Sequence, residues 1–384
     1  MIKDIQLVKI YNSRGEETFK AKISTDHGIF EGSCGTGKSR GKFEAPRLPT
    51  KVVFEKFLKV KKTLFGLDEH DWEIFDGAIK KHMLGSNITT PLSIACIRAA
   101  TNNDAYKLLK SSDYSFPYPV ANVIGGGVHG GATSIQEFLV IPRAKTFPDA
   151  VSMVVDVWKE IQKKMKKLGI IAGKNDEGAW LARQDEIKSL NMLSEIADAN
   201  GCVIGLDFAA TQIYKHGRYI YPALGKKYSA EEQLDFVIHL AKVYNIKYIE
   251  DPFHENAFEH FSELRKRLNA LIVGDDLYCS QVKRLELGIA KGSTNGIILK
   301  PDQAGTISDI CAAAELAKQN TIARIVSHRS GETCDAFISD LALTLGAELI
   351  KCGVGSGERI AKLNRLIELW ETLESRRMSK VNFF

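Results

Sequence analysis

The chain has 384 residues, 44% hydrophobic and 26% charged, with 52 basic against 47 acidic side chains and a net charge of +5. That balance is ordinary for a globular chain and excludes collagen-like, disordered and disulfide-scaffold classes. The length calls for two units, or for one large α/β barrel with an appendage. So mild a basic excess, without a clustered patch, gives no reason to expect a nucleic-acid partner. No apolar run approaches the roughly 18 residues that span a bilayer, so no membrane partner is expected either. The start, Met1-Ile2-Lys3-Asp4-Ile5-Gln6, lacks a signal-peptide core. Seven cysteines, scattered from Cys34 to Cys352 without a CxxC pair, read as free thiols of a reducing compartment. The expected location is the cytoplasm.

In chain order, the first 30 residues read as strands. Ile5 and Leu7, then Phe19, Ala21 and Ile23, alternate with polar neighbours around a turn at Ser13-Arg14-Gly15. Helical periodicity follows over 53–64, 72–83 and 92–109, with Pro91 placed as a first-turn residue of the third helix. Strands and then helices describe a small α+β domain. Its boundary is expected near 115, where Ser111-Ser112-Asp113, Pro117 and Pro119 break the pattern, leaving 1–115 as a cap and 116–384 as the larger domain. The basic run Lys163-Lys164-Met165-Lys166-Lys167 falls in a helical stretch and reads as a solvated face.

From residue 203 one device repeats: a short apolar run, a charged or imidazole residue, then a helical segment. The runs end at Asp207, Glu250, Asp275, Lys300, His328 and Lys351, at steps of 43, 25, 25, 28 and 23. About 25 residues is what a strand, a helix and two short loops require, and fully apolar strands mean a buried parallel sheet. The fold class expected is α/β, a (β/α)8-type barrel preceded by the small α+β domain; an open doubly wound sheet is the competing architecture. In a barrel those six residues share one mouth. Any one of them could be a helix cap or a structural ion pair, but packing gives no reason to gather all six. Three carboxylates make a hard-oxygen site suited to Mg²⁺, and a lysine with a lowered pKa can remove a proton next to a carboxylate.

One segment points elsewhere. Gly32-Ser33-Cys34-Gly35-Thr36-Gly37-Lys38-Ser39 satisfies the phosphate-cradling GxxxxGK[ST] pattern, which needs a helix starting at the Lys-Ser pair. Gly41, Pro46 and Pro49 follow instead, and a helix does not run through those prolines.

The chain resembles the enolase (phosphopyruvate hydratase) family along nearly its whole length. The resemblance is carried by Asn12-Ser13-Arg14-Gly15, Leu84-Gly85-Ser86-Asn87, Asn122-Val123-Ile124-Gly125-Gly126-Gly127-Val128-His129, Gln136-Glu137-Phe138 and Asp176-Glu177-Gly178. It continues through Leu206-Asp207, Ile249-Glu250-Asp251-Pro252-Phe253, Gly274-Asp275-Asp276-Leu277, Leu299-Lys300-Pro301-Asp302-Gln303, Ser327-His328-Arg329-Ser330-Gly331-Glu332-Thr333, Lys351 and Glu358-Arg359. A lysine base working with Mg²⁺ is the known chemistry of that superfamily. The resemblance implies dehydration of 2-phosphoglycerate to phosphoenolpyruvate, a homodimer or multiple of dimers, and two Mg²⁺ sites. It implies Lys300 as base, Glu177 as acid and Glu137 as its partner, with Asp207, Glu250 and Asp275 holding the first metal. His129, His328, Arg329, Ser330 and Lys351 would bind the phosphorylated acid substrate. The glycine-rich segment 32–45 would be a lid whose Ser39 completes the second metal site.

The chain departs from the family pattern at Gly35, Lys38 and Arg40, where proline, alanine and threonine are usual, and it is shorter by several tens of residues. Two added lid cations leave room for a paralogue acting on another phosphorylated or acidic 2-hydroxy acid. A non-catalytic binding protein on the same frame is the reading from a different class.

Overall fold

The computed structural model describes residues 1–38, 41–109 and 114–381. At the N-terminus β1 (Asp4–Tyr11), β2 (Glu17–Thr25) and β3 (Gly28–Ser33) form an antiparallel meander. The alternation read from Ile5, Phe19, Ala21 and Ile23 sets which face is covered, since all four are buried. They pack with Phe57, Phe75, Ile79 and Leu92 from α1 (Thr50–Val60), α2 (Trp72–Lys81) and α3 (Ser86–Thr101). Each such side chain contributes about 1.5–3 kcal/mol by leaving water.

The third helix differs from expectation at both ends. It begins at Ser86 and stops where Asn102 turns left-handed, so Pro91 lies inside it and not in its first turn. A proline there forfeits a backbone hydrogen bond. Thirteen buried residues in this helix offset the loss, as do bonds from the Thr89 and Thr90 hydroxyls to the Gly305 carbonyl at 2.7 and 2.9 Å. A helix buried all round lies between two layers. Leu92 and Ala95 belong to the N-terminal core, Ile94 and Ile97 to the core of the second unit.

β4 (Tyr114–Phe116) pairs with a strand at the far end of the chain, β18 (Arg376–Met378). Then come β5 (Tyr118–Gly125), β6 (Glu137–Pro142), α4 (Phe147–Leu168), the hairpin β7 (Ile171–Lys174) and β8 (Trp180–Ala182), α5 (Glu186–Ala199) and β9 (Cys202–Asp207). A small meander, β10 (Tyr214–Lys215), β11 (Arg218–Tyr221) and β12 (Lys226–Tyr228), leads into α6 (Ala230–Val243). The rest alternates: β13 (Tyr248–Glu250), α7 (Phe258–Arg267), β14 (Leu271–Gly274), α8 (Val282–Lys291) and β15 (Gly296–Leu299). The short α9 (Pro301–Ala304), α10 (Ile307–Gln319), β16 (Ala323–Ser327), α11 (Phe337–Thr344), β17 (Leu349–Lys351) and α12 (Gly357–Thr372) complete it.

Eight strands close into a barrel, because β17 returns to pair with β5, and the open sheet is excluded. The expected strand–helix alternation holds only from β9 onward. β6 runs antiparallel to both β5 and β9, since segment 126–136 is shorter than the dozen or more residues a parallel crossover needs. Val120, Leu139, Val203, Tyr248, Val273, Ile298 and Ile325 fill the interior. The barrel is a packed core whose polar residues collect at one rim.

Candidate active site

Parallel barrel strands end at a common rim, so the residue closing each apolar run enters a shared mouth. Asp207 and Glu250 lie opposite each other on neighbouring strands, and Glu137, at the start of the reversed β6, faces Asp207 from the other side. Asp275, Lys300 and His328 follow β14, β15 and β16, and Lys351 ends β17. All six residues chosen by spacing therefore meet. The space left among the mouth residues is about 30 Å³, room for one or two waters.

One side of the mouth is an exchange of charge between lysines and carboxylates. Lys351 Nζ lies 2.9 Å from Asp207 Oδ2, 2.8 Å from Glu250 Oε1 and 3.2 Å from Glu137 Oε2. Burial alone would lower its pKa, but these carboxylates hold it well above the usual lysine range. Burial, reinforced by Asp207, pushes the Glu250 carboxyl up to about 8. Lys300 Nζ is bonded to Asp275 Oδ2, and Gln303 Nε2 donates to Asp275 Oδ1 at 3.0 Å. Burial raises and the cations lower Asp275, which ends below its ordinary value; Lys300, lowered by burial and raised by Asp275, ends above its own. Three buried carboxylates from adjoining strands, hard oxygen donors without a cysteine among them, fit a divalent cation. Glu250, forced toward its neutral form, marks where positive charge is short. The carboxylates whose ligand oxygens lie within 4.8 Å of one another are instead Asp275, Asp251 and Asp276, although Asp251 already accepts the Asp275 and Asp276 amides; Asp207, Glu250 and Asp275 are held apart by the two lysines.

The other side carries imidazoles. Oxygens of Glu137 and Glu177 and a nitrogen of His129 lie within 4.8 Å of one another. Glu177 Oε1 is 3.8 Å from His129 Nε2 and 3.9 Å from His328 Nε2, and its Oε2 accepts from Asn122 Nδ2 at 2.9 Å. Burial pushes Glu177 up, but its cationic surroundings, Arg359 and Lys351 among them, outweigh it and hold the carboxyl well below the usual range. Glu137 goes the other way, raised well above that range by burial and by Glu177. Burial and the Arg359 guanidinium keep His328 neutral. Its Nδ1 sits 2.9 Å from Arg359 Nη1, which can only donate, so the imidazole hydrogen is on Nε2, toward Glu177. Glu177 itself stands on the loop between β7 and β8. That loop crosses segment 353–355 backbone to backbone: a Cβ on Gly353 would lie 2.3 Å from the Glu177 carbonyl and one on Gly355 2.1 Å from that of Gly178.

Arg329 and Ser330 form the third wall. Arg329 Nη2 bonds both Glu44 oxygens at 3.0 and 3.2 Å, while its buried Nη1 has no partner among the described residues. Ser330 Oγ accepts from Arg14 Nη1 at 3.0 Å and from the Lys38 amide at 2.7 Å, so its own hydrogen is left to donate. Thr36 and Gly331 exchange backbone bonds at 2.7 and 2.9 Å, and Asn12 Nδ2 donates to Thr36 Oγ1 at 2.9 Å. The glycine-rich segment thus lies across the mouth. Among the described residues after Lys38 the next helix begins at Thr50, too far on for the Lys-Ser pair to open it, and the nucleotide-cradling alternative fails. Ser39 and Arg40 lie outside the described residues.

Spacing did not single out three residues that the structure puts here. Arg359 is fully buried and bonds the carbonyls of Arg329, Ser330 and Asp176, besides His328. Asn122 orients Glu177. Gln136 lines the cavity with a buried Oε1 that has no partner among the described residues. All three fall inside motif runs, and that was their only signal.

The family description "Enolase, C-terminal TIM barrel domain" matches residues 113–381. The enolase of Archaeoglobus fulgidus is 37% identical over 397 residues, covering 98% of this chain and 99% of its own. That of Natronomonas pharaonis is 36% identical over 96% of this chain and 98% of its own, and that of Methanothermobacter thermautotrophicus 34% over 100% and 99%. With the barrel, its reversed second strand and the mouth described above, the chain belongs to the enolase family.

Proposed function

We propose that the protein is a lyase that interconverts 2-phosphoglycerate and phosphoenolpyruvate with Mg²⁺. The observation that carries this reading is one small mouth lined by Lys300, the buried Lys351 and Glu177, Asp207, Asp275 and Arg329, with Glu250 bonded to Lys351 beside it. Asp207, Glu250 and Asp275 would hold Mg²⁺, which when bound would supply positive charge against the substrate carboxylate. Lys300 removes the C2 proton: with Asp275 engaged elsewhere, its ammonium loses the counter-ion that raises its pKa, and burial then favours the neutral amine. Lys351, released from its three carboxylates, faces the substrate carboxylate. The unpartnered Arg329 Nη1 and the Ser330 hydroxyl take the phosphate. Glu177 gives its proton to the C3 hydroxyl, which leaves as water. In the substrate-free arrangement the surrounding cations hold Glu177 below its ordinary range, while burial and Glu177 hold Glu137 above its own. Negative charge arriving with the substrate raises Glu177, and the proton passes between the two carboxylates.

The rest of the reading follows the family. Residues 1–115 cap a barrel domain of 116–384, Ser39 completes a second Mg²⁺ site from the lid, and the enzyme is a cytoplasmic homodimer or multiple of dimers. The paralogue alternative rested on the altered lid and the shortened loops. Of the two added lid cations, Lys38 has its Nζ 3.7 Å from Asp176 Oδ2, and Arg40 lies outside the described residues. The test is the ultraviolet absorbance of phosphoenolpyruvate formed from 2-phosphoglycerate, with Mg²⁺ and with chelator. A chelator-sensitive rise is expected; a folded, metal-loaded protein that gives no rise defeats the reading.

A further inference from the structure

A second cavity, of about 590 Å³, lies between the N-terminal unit and the barrel. It is far roomier than the mouth and within the range of small-molecule sites. Pro46, Leu48, Met83, Leu84 and Val282 supply apolar wall, and Met83 is 76% exposed at its edge. Methionine at a rim suits a cover that adapts to what it meets. The charged residues around this space are unbalanced. Lys80 is paired with Asp309 at 2.5 Å, the one acidic side chain of the lining. Lys56 and Lys283 have no ion-pair partner among the described residues. Val282 and Lys283, the first two residues of α8, line the same space, and Gln281 gives that helix no side-chain cap. An apolar cleft with two uncompensated ammonium groups at its edge is complementary to a molecule with an apolar body and one anionic head.

The cavity is also wired to the proposed base. Ser280, on its inner wall, accepts the Lys300 amide at 2.9 Å and donates to Gln303 Oε1 at 2.8 Å. Gln303 donates to Asp275 and accepts the amide of Ala45, another wall residue, at 2.8 Å. Ala304 and Gly305, next in the chain, line the cavity themselves.

We infer that this cavity binds an anionic amphiphile of modest size, a carboxylate or phosphate monoester on a short alkyl body, and that occupancy alters catalysis through the Ser280–Gln303 segment. The binding test is calorimetric titration of the whole protein with octanoate, octyl phosphate and octylammonium. One saturable site for octanoate or octyl phosphate is expected, the tighter of the two identifying the head, with binding at least tenfold weaker in Lys56→Glu/Lys283→Glu. Both lysines are exposed, and an unchanged thermal midpoint checks that the variant folds. No saturable binding, equal binding of octylammonium, or equal binding by the variant would overturn the site. Saturating octanoate should also change KM or kcat for 2-phosphoglycerate at least twofold in wild type and leave the variant unaffected. Unchanged constants in wild type would overturn the coupling. Because binding is read without turnover, its failure is separate from failure of the proposed reaction.

Discussion

The two sides of the mouth hold similar numbers of buried carboxylates and treat them differently. On the Asp207–Glu250–Asp275 side every carboxylate has a lysine, and the lysines are the groups that must let go. On the Glu137–Glu177 side Lys351 reaches only Glu137, at 3.2 Å, while Glu177 is met by imidazoles and an asparagine, and in the proposed reaction the two acids share one proton. Fixed cations suit the side that stabilises charge, and a mobile proton suits the side that delivers one.

Removing one side at a time tests that division. Lys300→Ala should lower kcat by at least about 10³-fold and also abolish exchange of the C2 hydrogen of 2-phosphoglycerate with deuterated solvent. Retained exchange would remove Lys300 from the role of base. Glu177→Gln should lower overall turnover by about 10²–10⁴-fold yet leave C2 exchange running, because proton removal belongs to the other side. Loss of both in this variant would collapse the distinction. Deuterium uptake followed by NMR reads the two variants in one experiment.

Legibility in the sequence follows the same line. From β9 onward each strand is a short apolar run closed by one polar residue, and the period near 25 exposes Asp207, Glu250, Asp275, Lys300, His328 and Lys351 without any homologue. β5 and β6 broke no such pattern because they formed none: Tyr118–Gly125 carries a proline, and the reversed β6 puts Glu137 at its beginning, not its end. Glu177 lies on a hairpin loop outside the repeat, so only the resemblance could place it. Arg359 stands in the sequence only as part of the run Glu358-Arg359, with no role attached. It is buried because four neighbouring groups need its donors, a need that appears only once the loops are assembled.

Lys38 gives a smaller effect. Its side chain is 44% exposed, and exposed pairs contribute little. Lys38→Met should raise KM by no more than about fivefold with kcat nearly unchanged, since the lid is also held by Thr36–Gly331 and by the Lys38 amide, which the substitution keeps. A steady-state series in 2-phosphoglycerate checks it; a change confined to kcat would move Lys38 from holding the lid to acting on the chemistry.

The smallest effect on activity comes from a buried carboxylate outside the mouth, which serves as the control for both sides. Asp76, on α2, accepts the Ser308 amide at 2.9 Å, lies beside the Ser93 and Ser308 hydroxyls, and forms no ion pair among the described residues. Burial pushes its carboxyl from 3.8 up to about 6. A raised acid binds its proton more tightly when folded, so its stabilisation is complete below about pH 4 and is lost as pH rises through about 6. Two pKa units correspond to about 3 kcal/mol. Asp76→Asn should therefore stabilise the fold above pH 7, by about 1–2 kcal/mol after allowing for an imperfect amide hydrogen bond, and give no gain at pH 4. Turnover should not change. Thermal midpoints of both proteins across pH 4–8 test the sign: a variant less stable at pH 8 than wild type would mean that Asp76, like the carboxylates of the mouth, has a cation partner when ionised.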